Sequence, residues 1–348
     1  MIREKIHNIS GSVKMAFFAS ILGMLSSHDI PQKESSTIKE VRKCILENND
    51  IYREDVFAID SNQSILYTPE ILQHSSLPEV QFWQHILDLS EENRVINNAT
   101  TRKIYDTIAH TTWDSMSAEQ KESYREGMRV KNNISKDDEI YCTQGKCSYY
   151  NFDHSAIKID KALDIFQKNN TDGFYAQTIL LIESPSSNHT TSFQGARGAF
   201  QLMPDVAKKY GLTVNEHYDE RTSLERSAYG ASRFIQEVCI PDMQNTMEQY
   251  TQAQFLQTEL WFRLLVLHAY HAGTTNVQAA LAEVYKNNPE IFQSPDMRII
   301  QSLWHTQARS FGNASQNYSQ VALAATLKFY KQHIDFEENK EIVPLSQN

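Results

Sequence analysis

ESPSSNHTTSFQGARGAFQLMP, residues 183–204, begins on a carboxylate and closes on a proline. Immediately before it stand Ile179, Leu180, Leu181 and Ile182, four aliphatic residues in a row. Asp172-Gly173 supplies a start for a helix that runs through Tyr175 to Ile182, so Glu183 falls at its end. A carboxylate at a helix C-terminus faces the negative end of the helix dipole and is electrostatically disfavoured. Four aliphatic neighbours imply that its stem is buried. A carboxylate held against both penalties is a candidate for chemistry. Gly195 and Gly198 then mark a tight turn, with Ser192 and Gln201 on either side. Pro204 opens the next helix and Gly211 closes it.

Outward from this segment the pattern stays helical. Helices are expected over residues 223–238, over 261–270 with an end near Gly273, and over 321–330. The polar stretch 241–257, rich in Gln and Met, reads as an insertion. Toward the N-terminus, Thr68-Pro69-Glu70 and Leu77-Pro78-Glu79 each place a proline at a helix start, and Ser117-Ala118-Glu119-Gln120 has capping-box form. With 11 glycines and 9 prolines, long β meanders are not expected. The fold class is mainly α (α+β). The organisation expected is 1–27 signal peptide, 28–150 helical N-terminal region, 151–335 catalytic domain and 336–348 tail, with a boundary near 131–138.

The chain has 348 residues, 41% of them apolar and 22% charged, enough for a sizeable core. Its net charge of -10 argues against sequence-independent binding of nucleic acid, which needs a basic face. Arg3, Lys5 and Lys14 precede an apolar run over 15–25, the length of a signal-peptide core and too short to span a bilayer. Export to the periplasm or cell envelope is expected from it. Cys44, Cys142, Cys147 and Cys239 are an even set, as in exported proteins with disulfides; free thiols and a small Cys142–Cys147 loop both remain open.

Several side chains are candidates for chemistry. Cleaving a glycosidic bond requires a proton on the leaving oxygen, and a carboxylic acid supplies it near neutral pH only when apolar surroundings raise its pKa. Glu183 fits. Ser192 and Gln201 can hydrogen-bond the acid or an N-acetyl group, or simply hold the turn. Asp219 is a possible second carboxylate, although its place beside Arg221 before a helix suits a cap or ion pair. His268 and His271 have i, i+3 spacing without a third ligand, which favours packing over metal binding. Phe193, Phe200, Tyr210, Tyr218 and Tyr270 could stack on sugar faces or fill the core.

Glu183, Ser184, Ser192, Gly195, Ala196, Gly198, Gln201, Leu202, Met203, Pro204 and Ala207 fall in register with E-S…S-x-x-G-A-x-G-x-x-Q-L-M-P-x-x-A. This pattern resembles the soluble-type catalytic domain of the lytic transglycosylase family. Ala269-Tyr270-His271-Ala272-Gly273 is similar to its A-Y-N-A-G motif, with His271 in place of Asn. Asp219-Glu220-Arg221-Thr222 resembles a segment of the membrane-bound type D relatives, and Asn317-Tyr318 the family's closing N-Y-V segment. The resemblance covers about 155–332. It implies a lysozyme-like catalytic domain with a small antiparallel β element near the cleft. Glu183 would be its sole catalytic carboxylate, with no cofactor or metal. Ser192, Gln201, Tyr270, Phe200 and Tyr318 would line the cleft, Tyr270 bonding Glu183 or the sugar and Phe200 forming an apolar wall. The implied partner is the peptidoglycan glycan strand. The implied reaction cuts the bond between N-acetylmuramic acid and N-acetylglucosamine and leaves a 1,6-anhydro end. Alternatives are a hydrolytic muramidase or chitinase, and a catalytically weak glycan-binding homologue.

Overall fold

The computed structural model describes residues 40–43, 55–60, 63–153, 155–186 and 191–334. The expected signal peptide, Cys44 and the tail lie outside them. Strands β1 (Glu40–Lys43), β2 (Asp55–Asp60) and β3 (Gln63–Tyr67) form one antiparallel sheet. Helices α1 (Glu70–Gln73) and α2 (Pro78–Asp88) follow, with Pro78 in the first turn of α2 as read from the sequence. A second antiparallel sheet, in the order β5-β4-β6, is built from β4 (Asn93–Asn98), β5 (Ile104–Ala109) and β6 (Ile140–Gln144). Between β5 and β6 lie α3 (His110–Ser115) and α4 (Ala118–Asn132). The capping box at Ser117 is formed, with Ser117 Oγ accepting from the Gln120 N–H at 3.2 Å. The rest is helical: α5 (Ser155–Lys168), α6 (Gly173–Glu183), α7 (Pro204–Lys209), α8 (Leu224–Phe234), α9 (Ile240–Tyr250), α10 (Leu260–Ala272), α11 (Thr274–Asn287), α12 (Met297–Trp304) and α13 (Asn313–His333). The fold is mainly α, as expected.

The region 28–150 was expected to be short helices, and its described part is mixed instead. Hydrophobic periodicity is weak in its strands because each contributes few core residues. Val95 faces the main core and its neighbour Ile96 the opposite side, against Trp113 and Ile140. The turn between β4 and β5 lacks a glycine signal. Arg102 takes the left-handed conformation there, at φ 59°, held by its hydrogen bond to Asn317 and its place over the Phe82 ring. The stretch 131–138, the last two residues of α4 and the loop after it, lies inside this sheet unit, since β6 returns to pair with β4.

One continuous core runs from Ile65 to Ile334, across the boundary drawn at 150. The Trp83 indole on α2 donates to Gln320 on α13 at 3.0 Å. Gln177 on α6 acts as a strand surrogate for β3, accepting from Leu66 N–H at 2.9 Å and donating to Leu66 C=O at 2.7 Å. The region 241–257, expected as an insertion, is mostly the helix α9, which buries Met243 and Met247 completely. Between α8 and α9 the chain winds as a π turn at Ile235–Cys239, so the expected 223–238 helix runs on rather than stopping. Among the described residues, no helix is long and apolar enough to cross a membrane. Cys142, Cys147 and Cys239 are free thiols.

Candidate active site

Helix α6 is mostly apolar and buried on every side, from Phe174 through Ile182. Such a helix lies inside the core rather than on it. Asp172 caps its start, accepting from Phe174 N–H at 2.8 Å, and pairs with the buried Arg263 at 2.7 Å. Its far end delivers Glu183. There the unpaired carbonyls of the last turn are met by donors from the segment ahead of α5 and from α5 itself. The Tyr149 hydroxyl donates to Glu183 C=O at 2.8 Å, the Lys158 ammonium to Ser184 C=O at 2.5 Å, and the Ser155 hydroxyl to Pro185 C=O at 2.8 Å. A cation at the negative end of the helix offsets part of the cost of the carboxylate placed there.

The Glu183 carboxyl accepts one hydrogen bond from the Tyr318 hydroxyl, at 2.9 Å to Oε1. Burial pushes it up to about 7, against the downward pull of that bond. Tyr149, Tyr150, Tyr270 and Tyr318 are held well above the usual phenol value, first by burial and also by the Glu183 charge. An acid poised near neutrality among un-ionised phenols can both give and take a proton.

The turn after α6 is knitted to the acid. Ser184 Oγ donates to Ala199 C=O at 2.9 Å. Isolated bridges Thr191↔Arg197 and Arg197↔Leu202 form a small antiparallel β element there. Gly198 has φ +83°, and a Cβ on it would sit 1.7 Å from the Arg221 carbonyl oxygen. Arg221 is buried, bound to Asp219 at 2.7 Å, and donates to Gly195 C=O at 2.7 Å and Leu202 C=O at 2.9 Å. Those hydrogen bonds hold the Asp219 carboxyl below the usual carboxylate range, which makes it an anchor of the turn.

The residues expected to line a cleft take different places. Tyr318 reaches the acid. Ser192 is a turn former, its Oγ accepting from Ala196 N–H at 3.0 Å. Gln201, at φ 47°, donates from Nε2 to Gly198 C=O at 2.9 Å. Phe200 is not a cleft wall: its ring is fully buried and stacks on Phe166, with centroids 5.5 Å apart. Tyr270 donates to Phe200 C=O at 2.5 Å rather than to Glu183, because α10 presents it to the turn while α13 faces the acid. His268 is spent on the core, 2.8 Å from Ser319 Oγ and packed on Phe311. Among the described residues no cluster of three metal-binding side chains occurs.

Tyr149 and Lys158 escaped the sequence reading. They lie 34 and 26 residues from the carbonyls they meet, and no local spacing signals a partner at that distance. The Tyr149-Tyr150 pair was the one visible trace.

Residues 163–293 match the family model described as the Transglycosylase SLT domain. Glu183, the turn that follows it and Tyr270 all fall inside that span, and Tyr318 lies beyond it. No curated protein matches the chain.

Proposed function

We propose, from the premise that this chain belongs to the lytic transglycosylase family through its SLT domain, a specific reaction on peptidoglycan. The protein cuts the β-1,4 bond between N-acetylmuramic acid and N-acetylglucosamine, with Glu183 as the single acid and base. The lysozyme-like SLT domain itself indicates transglycosylase-type action on peptidoglycan. The bond, the product and the residue roles are our reading of the site.

Protonated Glu183 gives its proton to the glycosidic oxygen as the C1–O bond breaks. The substrate's acetamido oxygen supports the positive charge at C1, a recognised exception to the paired-carboxylate rule. Glu183, now a carboxylate, takes the proton from the sugar's 6-hydroxyl as that oxygen attacks C1. The result is a 1,6-anhydro end, and no water is consumed. Tyr318 stays on Glu183 throughout and eases its ionised form. The observation that carries this reading is the Glu183 carboxyl at the end of the buried helix α6, held by the Tyr318 hydroxyl at 2.9 Å, where burial pushes its pKa up to about 7. The other candidate carboxylate, Asp219, is locked to Arg221. Peptidoglycan as substrate also favours an envelope location, in line with the N-terminal pattern of residues 1–27.

Purified sacculi incubated with the protein test this reading by product mass. The proposal expects muropeptides one water lighter than hydrolysis yields. Hydrated ends only would mean a hydrolytic muramidase. No release by the wild type, with retained glycan affinity, would mean a binding homologue. Glu183→Gln is expected to abolish release while the fold persists, and unchanged turnover in that variant would remove Glu183 from the chemistry.

A further inference from the structure

Tyr318 holds the acid, and one face of its ring is covered by a residue that the family motif does not lead one to expect. The His271 imidazole lies on it with centroids 4.3 Å apart and planes 19° from parallel. We propose that His271 is a positioning residue: its ring backs the Tyr318 phenol and keeps that hydroxyl aimed at Glu183. The inference rests on Glu183 as the reaction's acid.

Three features support it. His271 is the penultimate residue of α10, and the chain turns at once through Gly273 at φ +83°, so its backbone is set by a helix end. The Tyr318 hydroxyl is 2.9 Å from Glu183 Oε1, so a small swing of the phenol about its Cα–Cβ bond, which a ring stacked on its face resists, lengthens that bond. Third, the ring is uncharged where the acid works. Burial holds His271 down at about 4, while Glu183 titrates at about 7. A cation at this place would draw the proton off the acid, and a neutral ring does not. The titratable groups facing the pair are His268 on the His271 side, and Glu183, Tyr270 and Tyr150 on the Tyr318 side. His268 is itself neutral, held down at about 3 by burial, so neither histidine of α10 puts a charge beside Tyr318. Asparagine, the residue of the family motif, has a shorter amide plane and no ring to lay on an aromatic face.

The test uses the full chain with H271A, H271F and H271N. Two readouts are taken: kcat and KM on sacculi, and the titration of the Glu183 carboxyl by carbon NMR, assigned against Glu183→Gln. With the ring removed, kcat is expected to fall about five- to tenfold with KM within about twofold, the scale of one lost aromatic stack. The Glu183 titration is expected to move up by about half a unit, because a loosened hydroxyl no longer pulls it down. H271F keeps a flat ring and should restore both; H271N lacks one and should track H271A, replacing it should that variant not fold. An unmoved titration in the ringless variants would overturn the proposal. So would an H271F as impaired as H271A beside an active H271N, which would assign His271 a polar contact with substrate. The titration needs no substrate, so a protein that cuts no glycan refutes the proposed function and leaves His271 judged on the titration alone.

Discussion

At the scale of single residues, the site is one carboxyl whose surroundings decide its proton. Its raised pKa has two consequences of definite sign. In its proposed role as general acid it must be protonated, so kcat/KM should fall as pH rises through about 7, and a profile flat to pH 9 would contradict the assignment. The same shift acts on stability. The unfolded chain ionises near 4.5 and the folded one near 7, so Glu183 favours the fold below 4.5 and that support is lost as pH rises through 7. Glu183→Gln carries no such penalty. Its melting temperature should match the wild type at pH 4 and exceed it above pH 7, with a gap worth at most about 3 kcal/mol. Removing the opposing group works the other way. Tyr318→Phe deletes the one side-chain donor that lowers the acid's pKa. The alkaline limb should move up while kcat falls about 10- to 100-fold, the value of a hydrogen bond to a charged partner. Steady-state kinetics across pH 5 to 9 reads both effects.

At the scale of elements, the site depends on how the turn at 191–204 is fastened to the end of α6. The two glycines of the turn look alike in sequence and differ in space. Both have positive φ, but a Cβ at Gly195 meets nothing within 4 Å, whereas one at Gly198 runs into the Arg221 carbonyl at 1.7 Å. Gly195→Ala should therefore cost about 1 kcal/mol of strain alone. Gly198→Ala must also push the Arg221 segment away, and should cost several times as much and lower activity with it. Urea midpoints for the pair decide the point, and equal midpoints would contradict it. Lys158→Met, which keeps an apolar stem and removes the ammonium from the end of α6, should cost about 1–2 kcal/mol.

These fastenings also show what the sequence could disclose. The start of α6 at Asp172, the Ser117 box, the proline starts at Pro78 and Pro204 and the Gly273 end of α10 were all legible, because each is a local hydrogen-bonding device. Glu183 was legible for the same reason, as a carboxylate on an apolar run. The strands β4, β5 and β6 were not, since their turn rests on Arg102 in a conformation stabilised from α13. Nor were the real partners of Tyr270 and Phe200. A tyrosine next to a histidine in the motif says nothing about which carbonyl, 70 residues away, it will reach.

At the scale of the whole molecule, residues on both sides of position 151 share one hydrophobic core. Helix α13, which carries Tyr318, is covered on one side by α2 and β3. Tyr330 bonds Leu66 C=O at 2.9 Å, Lys328 bonds Leu87 C=O at 2.6 Å, and Trp83 bonds Gln320. Ile65, Tyr67, Val80, Phe82, Trp83, Ile86 and Leu87 are each at most 4% exposed, and all belong to the segment before residue 90. Burying one such side chain contributes about 1.5–3 kcal/mol, so their joint loss, on the order of 10–20 kcal/mol, is as large as the 5–15 kcal/mol by which a domain is ordinarily stable. Their removal would also leave the Gln177 and Gln320 amides without the partners they have in the core. A chain cut to begin at residue 151 should accordingly show no cooperative thermal transition and should bind a hydrophobic dye, while the full chain melts in one step. A sharp transition in that fragment would mean that the first half is a separable attachment. Its absence would mean that the acid, its tyrosine and the segment long before them fold as a single unit, with the N-terminal half acting as a wall of the catalytic core.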